Sequence, residues 1–309
     1  MPDSKNKLVS VVIVSYNSAD SITRTLDSIY NQTYPNIELV ISDDASNDDT
    51  VAVAAEWIEK HKARFSDCIL IANEKNQGVA ENLNTGIRAA TGAYIKDFGA
   101  DDLLLPDYLQ THVAYLEESG EDCVFSNMYA YQIVNGEKRV QDYETPIGEK
   151  FYGVSAKDQY KILLRDNCLF SPTFLATRAL YEKHGLYDTR FPLMEDYPYY
   201  LKIAKEGTHL NYLDVRLVEY CFAENSISNA TSVRVLSPNF HKMMRSFFYK
   251  VRLKGLLKEK DFKYLLIGFW KIFFGDCVIL FGNKSTNSIV RFCNNMRELK
   301  FLKSRKNKG

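Results

Sequence analysis

The sequence has 309 residues, 46% of them hydrophobic and 25% charged, a composition that is ordinary for a soluble globular protein and long enough for one large domain or two ordinary ones. Its net charge of zero hides an asymmetry: residues 240–309 contain 17 Lys or Arg and 4 Asp or Glu, whereas residues 1–239 contain 22 and 35. The six cysteines have no C-x-x-C pair or metal-ligand spacing, and the N-terminus has no secretory signal, which favours reduced cytosolic thiols over a disulfide framework.

The first hundred residues alternate between apolar runs and helical patterns. Short runs rich in β-branched residues predict strands over 8–15, 37–44, 68–74 and 93–99. Apolar residues at helical spacing predict helices over 22–30, 51–61 and 79–90. Strands that alternate with helices in this way indicate a parallel, helix-flanked α/β sheet.

The second hundred residues are less regular. They predict a helix from Pro106, a hairpin over 122–144 with Asn135-Gly136 at its turn, a strand over 168–178 and a helix over 194–207 closed by Gly207. No linker-like stretch interrupts them. We therefore predict one catalytic domain over 1–239, with halves 1–105 and 106–239, followed by a basic helical extension over 240–309.

Polar residues follow three of the predicted strands. Tyr16 follows the first strand, Asp43 and Asp44 the second, and Asp101 and Asp102 the fourth. Ligands bind beyond the carboxyl ends of the strands in open α/β sheets, so these clusters are expected to share one crevice. Each alone has a structural alternative, since the first aspartate pair could cap a helix and the second could be a solvated turn.

Four carboxylates without a matching Lys or Arg cluster repel one another until a cation enters the crevice. Mg²⁺ or Mn²⁺ is the natural candidate, because hard cations bind carboxylate oxygens and then hold substrate phosphates with their remaining positions. Neither G-x-x-x-x-G-K-[ST] nor G-x-G-x-x-G occurs, so a P-loop ATPase and a dinucleotide dehydrogenase are poorly supported. The pattern favours a nucleotide diphosphate bound through metal and carboxylates.

Three blocks, in order, resemble the family-2 inverting glycosyltransferases, which have the GT-A fold: a Rossmann-like, mostly parallel sheet flanked by helices. They are "VSVVIVSYNSADSITRTLDSIYNQTYPNIELVISDDASNDDT", "NQGVAENLNTGIRAATGAYIKDFGADD" and "MEDYPYYLKIAKEG". The resemblance covers about residues 8–230. The family often has an acid where Gly99 stands, Arg where Leu83 stands, and Arg and His near Cys221 and Ala223.

The resemblance implies a role for individual residues. The nucleotide-sugar site would comprise Tyr16, Asp43, Asp44, Asn76, Asn84 and Asp101. Asp102 would bind the divalent metal that bridges the diphosphate. Asp196 would be the general base that deprotonates the acceptor hydroxyl, with Glu195 beside it on the acceptor side. Without the family context, Glu195 and Asp196 would be acids that favour a helix N-terminus.

The resemblance also implies an activity and its partners. The expected enzyme is a metal-dependent hexosyltransferase that adds one sugar per encounter, because the Q-x-x-R-W motif and membrane spans of the processive members do not occur in the sequence. The expected donor is a UDP-hexose. The expected acceptor is a polyprenyl-diphosphate-linked saccharide at the cytoplasmic face of the membrane, in surface-glycan or glycoprotein-glycan assembly. Which sugar is donated and which hydroxyl accepts it stay open.

The basic extension predicts a peripheral membrane contact. Apolar residues at 253, 256, 257, 262, 265, 266 and 269 form a predicted helical stripe with lysines off it, as in helices that lie in an anionic membrane surface. The alternative is a helical extension that packs on the catalytic domain or on a second subunit of a homo-oligomer. No nucleic-acid partner is expected.

Two other functions remain as alternatives. A nucleotidyltransferase with a similar sheet would be expected to have a Gly-rich, Arg-containing loop where this chain has "SYNSAD". A non-catalytic, membrane-tethered scaffold or pseudoenzyme would not need Asp44, Asp102 and Asp196.

Overall fold

The computed structural model describes residues 7–134, 137–143, 149–221 and 234–298. The chain divides into two compact units, Met1–Phe222 and Ala223–Gly309. Residues 234–236 belong to the second unit because Arg234 bridges to Lys284 and Leu236 exchanges hydrogen bonds with Asn283. The division therefore falls upstream of the boundary predicted after residue 239.

The N-terminal half of the first unit is the predicted α/β sheet. Its strands are β1 (Val9–Ser15), β2 (Ile37–Asp43), β3 (Asp67–Ala72) and β4 (Tyr94–Gly99). They are connected through α1 (Ile22–Tyr30), α2 (Thr50–His61) and α3 (Val79–Ala89). These strands lie parallel in the order β3-β2-β1-β4, which confirms the predicted helix-flanked α/β sheet.

The burial of β1 and β2 explains their sequences. Every residue of β2 is buried, and Val9, Val11 and Ile13 of β1 are fully buried. A strand covered on both faces has no position that favours a solvated side chain, so its sequence is continuous rather than alternating. Replacing a fully buried residue such as Ile41 by alanine would cost about 2–5 kcal/mol of unfolding free energy.

The second half of this unit adds antiparallel pairings to the same sheet. Its elements are β5 (Leu103–Leu104), α4 (Tyr108–Ser119), β6 (Cys123–Val134), β7 (Glu137–Tyr143), α5 (Glu149–Tyr152), α6 (Ala156–Arg165), β8 (Leu175–Thr177), α7 (Arg178–His184), α8 (Asp196–Lys205) and β9 (Asn211–Cys221). In the described residues the sheet has the order β3-β2-β1-β4-β8-β6-β9-β5, with β7 paired to β6. The sheet is therefore mixed: β3, β2, β1 and β4 are parallel, β6 and β9 are also parallel, and the other pairings of the second half are antiparallel.

Several elements of this half differ from their predictions. The strand predicted over 168–178 is a 3-10 turn at Ser171–Thr173 followed by the three residues of β8, because Pro172 has no amide to donate to a ladder. The helix predicted from Pro106 begins at Tyr108. The predicted hairpin is present as antiparallel β6 and β7, and its turn at Asn135-Gly136 lies outside the described residues. Helices α6 and α7 and strand β9 have no counterpart among the predicted elements.

The second unit is helical, as the sequence predicts. It contains α9 (Pro238–Phe247), a π-helical turn at Phe248–Arg252, α10 (Leu253–Lys258), α11 (Phe262–Leu280) and α12 (Ser288–Arg297). Among the described residues, no helix combines the length and the apolarity needed to cross a membrane.

The helical stripe predicted over 253–269 is not continuous. Helix α10 ends at Lys258, and Lys260 has a positive φ of 56°, so the chain bends before α11 begins. Leu256 is fully buried and does not belong to an exposed face. The apolar pattern here serves two separate helices.

Candidate active site

The carboxylate of Asp43 is fixed at the carboxyl end of β2. Its Oδ2 accepts hydrogen bonds from Ser15 Oγ at 2.8 Å and from Ser46 Oγ at 2.5 Å, and its Oδ1 accepts one from the Ser46 amide at 2.8 Å. The side chain is buried and does not cap α2, whose N-cap residue is Asp49. Asp43 thus ties together the segments that follow β1 and β2.

Asp44 bonds to a different segment, the loop between β3 and α3. Its Oδ1 accepts from the Gln77 amide and its Oδ2 from the Gly78 amide, both at 2.8 Å. Asn76 is exposed in the same loop. Tyr16, directly after β1, is 47% exposed and presents an aromatic ring to solvent. The predicted nucleotide-side residues Tyr16, Asp43, Asp44 and Asn76 thus lie on segments at the carboxyl ends of the parallel strands.

Asn84 lies inside the fold rather than on its surface. It is 2% exposed, its Nδ2 donates to the Tyr187 carbonyl at 2.9 Å, and its Oδ1 accepts from the Tyr187 amide at 2.9 Å. One Nδ2 hydrogen and the Oδ1 atom thus bond to the same backbone unit. Asn84 anchors the segment 185–195 to α3, and its contact with the donor stays a prediction.

That segment also contacts the loop held by Asp44. Gly78 has φ +87°, and a β-carbon there would lie 2.7 Å from both Cβ and the carbonyl oxygen of Pro192. Only glycine allows this approach without displacing backbone. The segment continues to Glu195 and Asp196, so the loop beside Asp44 is in contact with the chain that leads to the predicted base.

Asp101 and Asp102 follow β4, and Asp102 is 4% exposed. Asp102 Oδ1 accepts from the Cys221 amide of β9 at 3.1 Å, and the Asp102 carbonyl accepts from Thr25 Oγ1 at 2.9 Å. Burial and then the charge of Asp101 raise the pKa of Asp102 well above its ordinary value. Burial also raises the pKa of Asp101, which Arg24 partly opposes.

A hard divalent cation fits this donor set. Two adjacent carboxylates with raised pKa values are stabilised in their charged forms when a cation binds. The described residues contain no cluster of three His, Cys, Asp or Glu side chains that could hold a metal. Mg²⁺ and Mn²⁺ do not need one, because Mg²⁺ is commonly bound by one or two carboxylates together with substrate phosphates and water. The residue that would hold the ion is Asp102, and the Asp101 carboxylate next to it adds to the negative charge there.

Lys96 is a buried cation in β4 that sequence reasoning missed. Its Nζ donates to the carbonyls of Asp97 at 2.9 Å and Pro172 at 2.8 Å. Burial lowers the pKa of Lys96 to about 8, while Asp97 and Asp102 oppose that change. A lysine inside a strand pattern does not indicate that its side chain is buried, since exposed strands contain lysine as well.

Glu195 and Asp196 lie at the N-terminus of α8 and are partly buried. Burial and the charge of Asp196 raise the pKa of Glu195 to about 8. Burial also raises the pKa of Asp196, opposed by the Tyr197 amide and by Asn167, whose Nδ2 donates to Asp196 Oδ2 at 3.0 Å. Two adjacent carboxyls with raised pKa values, one of them oriented by an amide, are candidates for general acid–base chemistry.

Comparison with known proteins identifies the family of this chain. The model of Glycosyl transferase family 2 matches residues 10–183. The UDP-Glc:alpha-D-GlcNAc-diphosphoundecaprenol beta-1,3-glucosyltransferase WfgD of Escherichia coli is 26% identical over 226 residues, which are 72% of this chain and 80% of WfgD.

Two solved structures have a similar fold. S. aureus TarS 1–349 in complex with UDP-GlcNAc gives a TM-score of 0.60 at 22% identity, over 79% of this chain and 66% of that one. The mannosyltransferase PcManGT of Pyrobaculum calidifontis, in complex with GDP-Man and Mn²⁺, gives 0.56 at 19% identity, over 97% and 75%. The mixed, helix-flanked sheet is thus of the GT-A type, and the chain belongs to glycosyl transferase family 2.

Proposed function

We propose that this enzyme transfers one hexose, with inversion, from a UDP-sugar to a saccharide linked to a polyprenyl diphosphate. The observation that carries the proposal is the contact between the loop on the proposed donor side and the segment that leads to the proposed base. Asp44 holds the Gly78 loop, and Gly78 packs against Pro192 in the segment that leads to Asp196. A donor-side pocket and a proton acceptor on adjoining segments suit a direct displacement.

The residue that would accept the proton lies at the N-terminus of α8. The oxygen of the acceptor hydroxyl attacks the anomeric carbon while Asp196 accepts the hydroxyl proton. The bond between that carbon and the diphosphate oxygen breaks. Asn167 keeps the Asp196 carboxylate oriented through its 3.0 Å hydrogen bond. Burial and the charge of Asp196 raise the pKa of Glu195 and so favour its neutral form, which suits Asp196 as the base.

The donor would be held by the residues around the ends of β1, β2 and β4. Tyr16 and Asp44 would contact the base, with Asp43 supporting them, and Asp101 would contact the ribose. A Mn²⁺ or Mg²⁺ ion at Asp102, when bound, would neutralise the charge that develops on the departing diphosphate. The Mn²⁺ in the PcManGT complex supports a metal in this fold.

The UDP-sugar and the lipid-linked acceptor are supported by relatives. The TarS complex contains UDP-GlcNAc, and the name of WfgD specifies a UDP-Glc donor and a diphosphoundecaprenol-linked acceptor. We therefore place the enzyme at the cytoplasmic face of the membrane, as a peripheral protein in glycan assembly.

A donor screen tests the proposal. Purified protein with Mn²⁺ is incubated with UDP-, GDP- and dTDP-sugars, and slow release of the nucleotide is measured with and without lipid-linked acceptors. We expect release from a UDP-hexose, acceleration by the acceptor, and a product whose anomeric configuration is opposite to that of the donor. A retained configuration would contradict the displacement mechanism.

The variant Asp196→Asn separates an enzyme from a scaffold. It should lose about 10²–10⁴-fold in transfer rate while UDP binding is retained. Asp188→Asn is the matched control, because Asp188 lies in the same segment and its carboxylate is paired with Arg190 at 2.6 Å. Absence of both turnover and UDP binding in the unmodified protein would favour a non-catalytic scaffold.

A further inference from the structure

Helix α11 has a second apolar face that the fold leaves exposed. Five of its large apolar side chains are between 38% and 78% exposed: Phe262, Leu266, Phe269, Phe273 and Leu280. They are spaced by 4, 3, 4 and 7 residues, which at 3.6 residues per turn places them within a sector of about 60°. We call this row the α11 stripe. It runs about 27 Å along the helix.

The opposite face of α11 is already used in packing. Gly268, Ile272, Gly275 and Val278 are buried there. A β-carbon at Gly268 would collide with the ring of Phe248, and one at Gly275 with the ring of His241, so both glycines allow close helix packing. The helix therefore packs into the core of its unit through this buried face, and the α11 stripe is a separate, exposed apolar face.

Helix α12, which is bonded to α11, has exposed apolar side chains of its own. Trp270 Nε1 donates to the Met296 carbonyl at 2.8 Å and joins the two helices. On α12, Ile289 is 49% and Phe292 is 59% exposed. An apolar surface of this extent on a soluble unit marks an interaction site.

The charge around the stripe is net positive: residues 258–298 contain seven Lys or Arg and four Asp or Glu, and two of these acids, Asp276 and Glu298, are paired with Arg245 and Arg297. Exposed cations precede it at Lys258 and Lys260, accompany it at Lys263, and follow it at Lys284 and Arg291. The sequence of residues 299–309 adds five Lys or Arg and no acid. A second copy of the chain at this face would bring like charges together, whereas an anionic surface would be attracted.

We propose that the α11 stripe inserts into the headgroup region of an anionic phospholipid leaflet, with the surrounding lysines and arginines over the lipid phosphates. A helix with an apolar aromatic stripe and basic flanks is suited to lie in the plane of the interface. The proposed function enters only as the reason for membrane binding, which would give the enzyme access to a lipid-linked acceptor. Binding itself needs neither donor nor acceptor.

Vesicle binding of the full chain tests this surface. Sedimentation is measured with phosphatidylcholine vesicles that contain or lack phosphatidylglycerol, with no nucleotide sugar present. The variant Phe273→Glu places a charge in the centre of the stripe, and Val140→Glu makes the same kind of change at a 47% exposed valine of β7. Thermal unfolding of both variants verifies that they fold.

We expect the unmodified chain and Val140→Glu to bind anionic vesicles, more weakly as salt rises, and Phe273→Glu to bind at least about tenfold more weakly. Equal binding of Phe273→Glu, or equal binding to vesicles without phosphatidylglycerol, would overturn the proposal. So would a dimer that Phe273→Glu dissociates without a change in vesicle binding.

The outcome is separable from the catalytic proposal. Donor hydrolysis in solution does not involve the stripe, so Phe273→Glu should retain the hydrolysis rate of the unmodified chain. Hydrolysis without vesicle binding would refute the docking surface and leave the proposed function standing. Stripe-dependent vesicle binding with neither turnover of any donor, with or without acceptor, nor UDP binding would do the reverse.

Discussion

The Gly78 amide donates a 2.8 Å hydrogen bond to Asp44 Oδ2 from a backbone conformation, φ +87° and ψ 161°, that leaves no room for a side chain beside Pro192. One glycine thus joins a proposed contact of the nucleotide base to the segment that leads to Asp196. A change at this position should affect donor binding and turnover together.

Gly78→Ala tests this connection. The alanine would be strained at positive φ and would push against Pro192, so we expect a loss of about 1–3 kcal/mol in unfolding free energy and a lower kcat. Gly185→Ala is the matched control. Gly185 has a similar conformation, φ 76° and ψ 179°, but a β-carbon there meets only Lys202 Nζ at 3.6 Å. Equal kcat losses in both variants would show that strain alone, and not the Pro192 contact, is responsible.

The hydrogen bond from Asn167 should set the pH at which Asp196 acts as a base. This bond lowers the pKa of Asp196, because it stabilises the charged carboxylate. Asn167→Ala should therefore raise that pKa and move the acidic limb of the kcat/KM profile to higher pH. A uniform drop in rate with an unmoved profile would mean that Asn167 has only a structural role.

The buried carboxyl of Glu195 predicts a particular dependence of stability on pH. Its pKa is about 8 in the folded chain, above the ordinary value of 4.5, so the folded state binds a proton that the unfolded state releases. The unfolding free energy should fall as the pH rises from about 4.5 to 8, by on the order of 2 kcal/mol after allowance for partial exposure.

Glu195→Gln should make that fall smaller, since an amide does not titrate, while the raised pKa values of Asp101, Asp102 and Asp196 leave a remaining pH dependence. Chemical denaturation at several pH values measures the effect. Glu56→Gln changes an exposed glutamate paired with Lys60 and should leave the pH dependence as it is. A steep fall that persists in Glu195→Gln would assign it to another group.

Asp102→Asn tests the metal. The variant should lose the Mn²⁺-dependent part of UDP binding by calorimetry, and EDTA should abolish transfer by the unmodified enzyme until Mn²⁺ or Mg²⁺ is restored. Asp107→Asn is a suitable control, because Asp107 is exposed and its Oδ1 accepts a hydrogen bond from Thr33 Oγ1 at 2.9 Å. Full activity in EDTA would contradict the role given to Asp102.

The parts of the fold predicted from sequence are those with strong local signals. The runs of β-branched residues in β1 and β2 are buried on both faces. Short apolar runs of this kind, bounded by turn residues, are typical of buried strands. Helix α6 has a clear N-cap, because Ser155 Oγ accepts from the Asp158 amide, yet it begins in a polar stretch that gives no clear helical signal. Strand β9 has intermediate burial at most positions and lacks the alternation that identifies a half-buried strand.

Family motifs predict the residue types of the site but not their contacts. They select Asp44 and Asp102 as candidates, but no sequence pattern indicates that Gln77 and Gly78 donate to the first or that Cys221 donates to the second. Asn84 illustrates the difference. It lies within a family motif, and its buried amide holds Tyr187, 103 residues further along the chain.

The bond from the Cys221 amide to Asp102 Oδ1 has a practical consequence. An amide proton that points at a carboxylate oxygen changes its resonance frequency when the charge on that oxygen changes. The Cys221 amide in a ¹⁵N-labelled sample would therefore report occupation of Asp102 by a cation, without donor, acceptor or turnover. A titration with diamagnetic Mg²⁺ that moves this resonance would give the affinity of the ion for the enzyme alone.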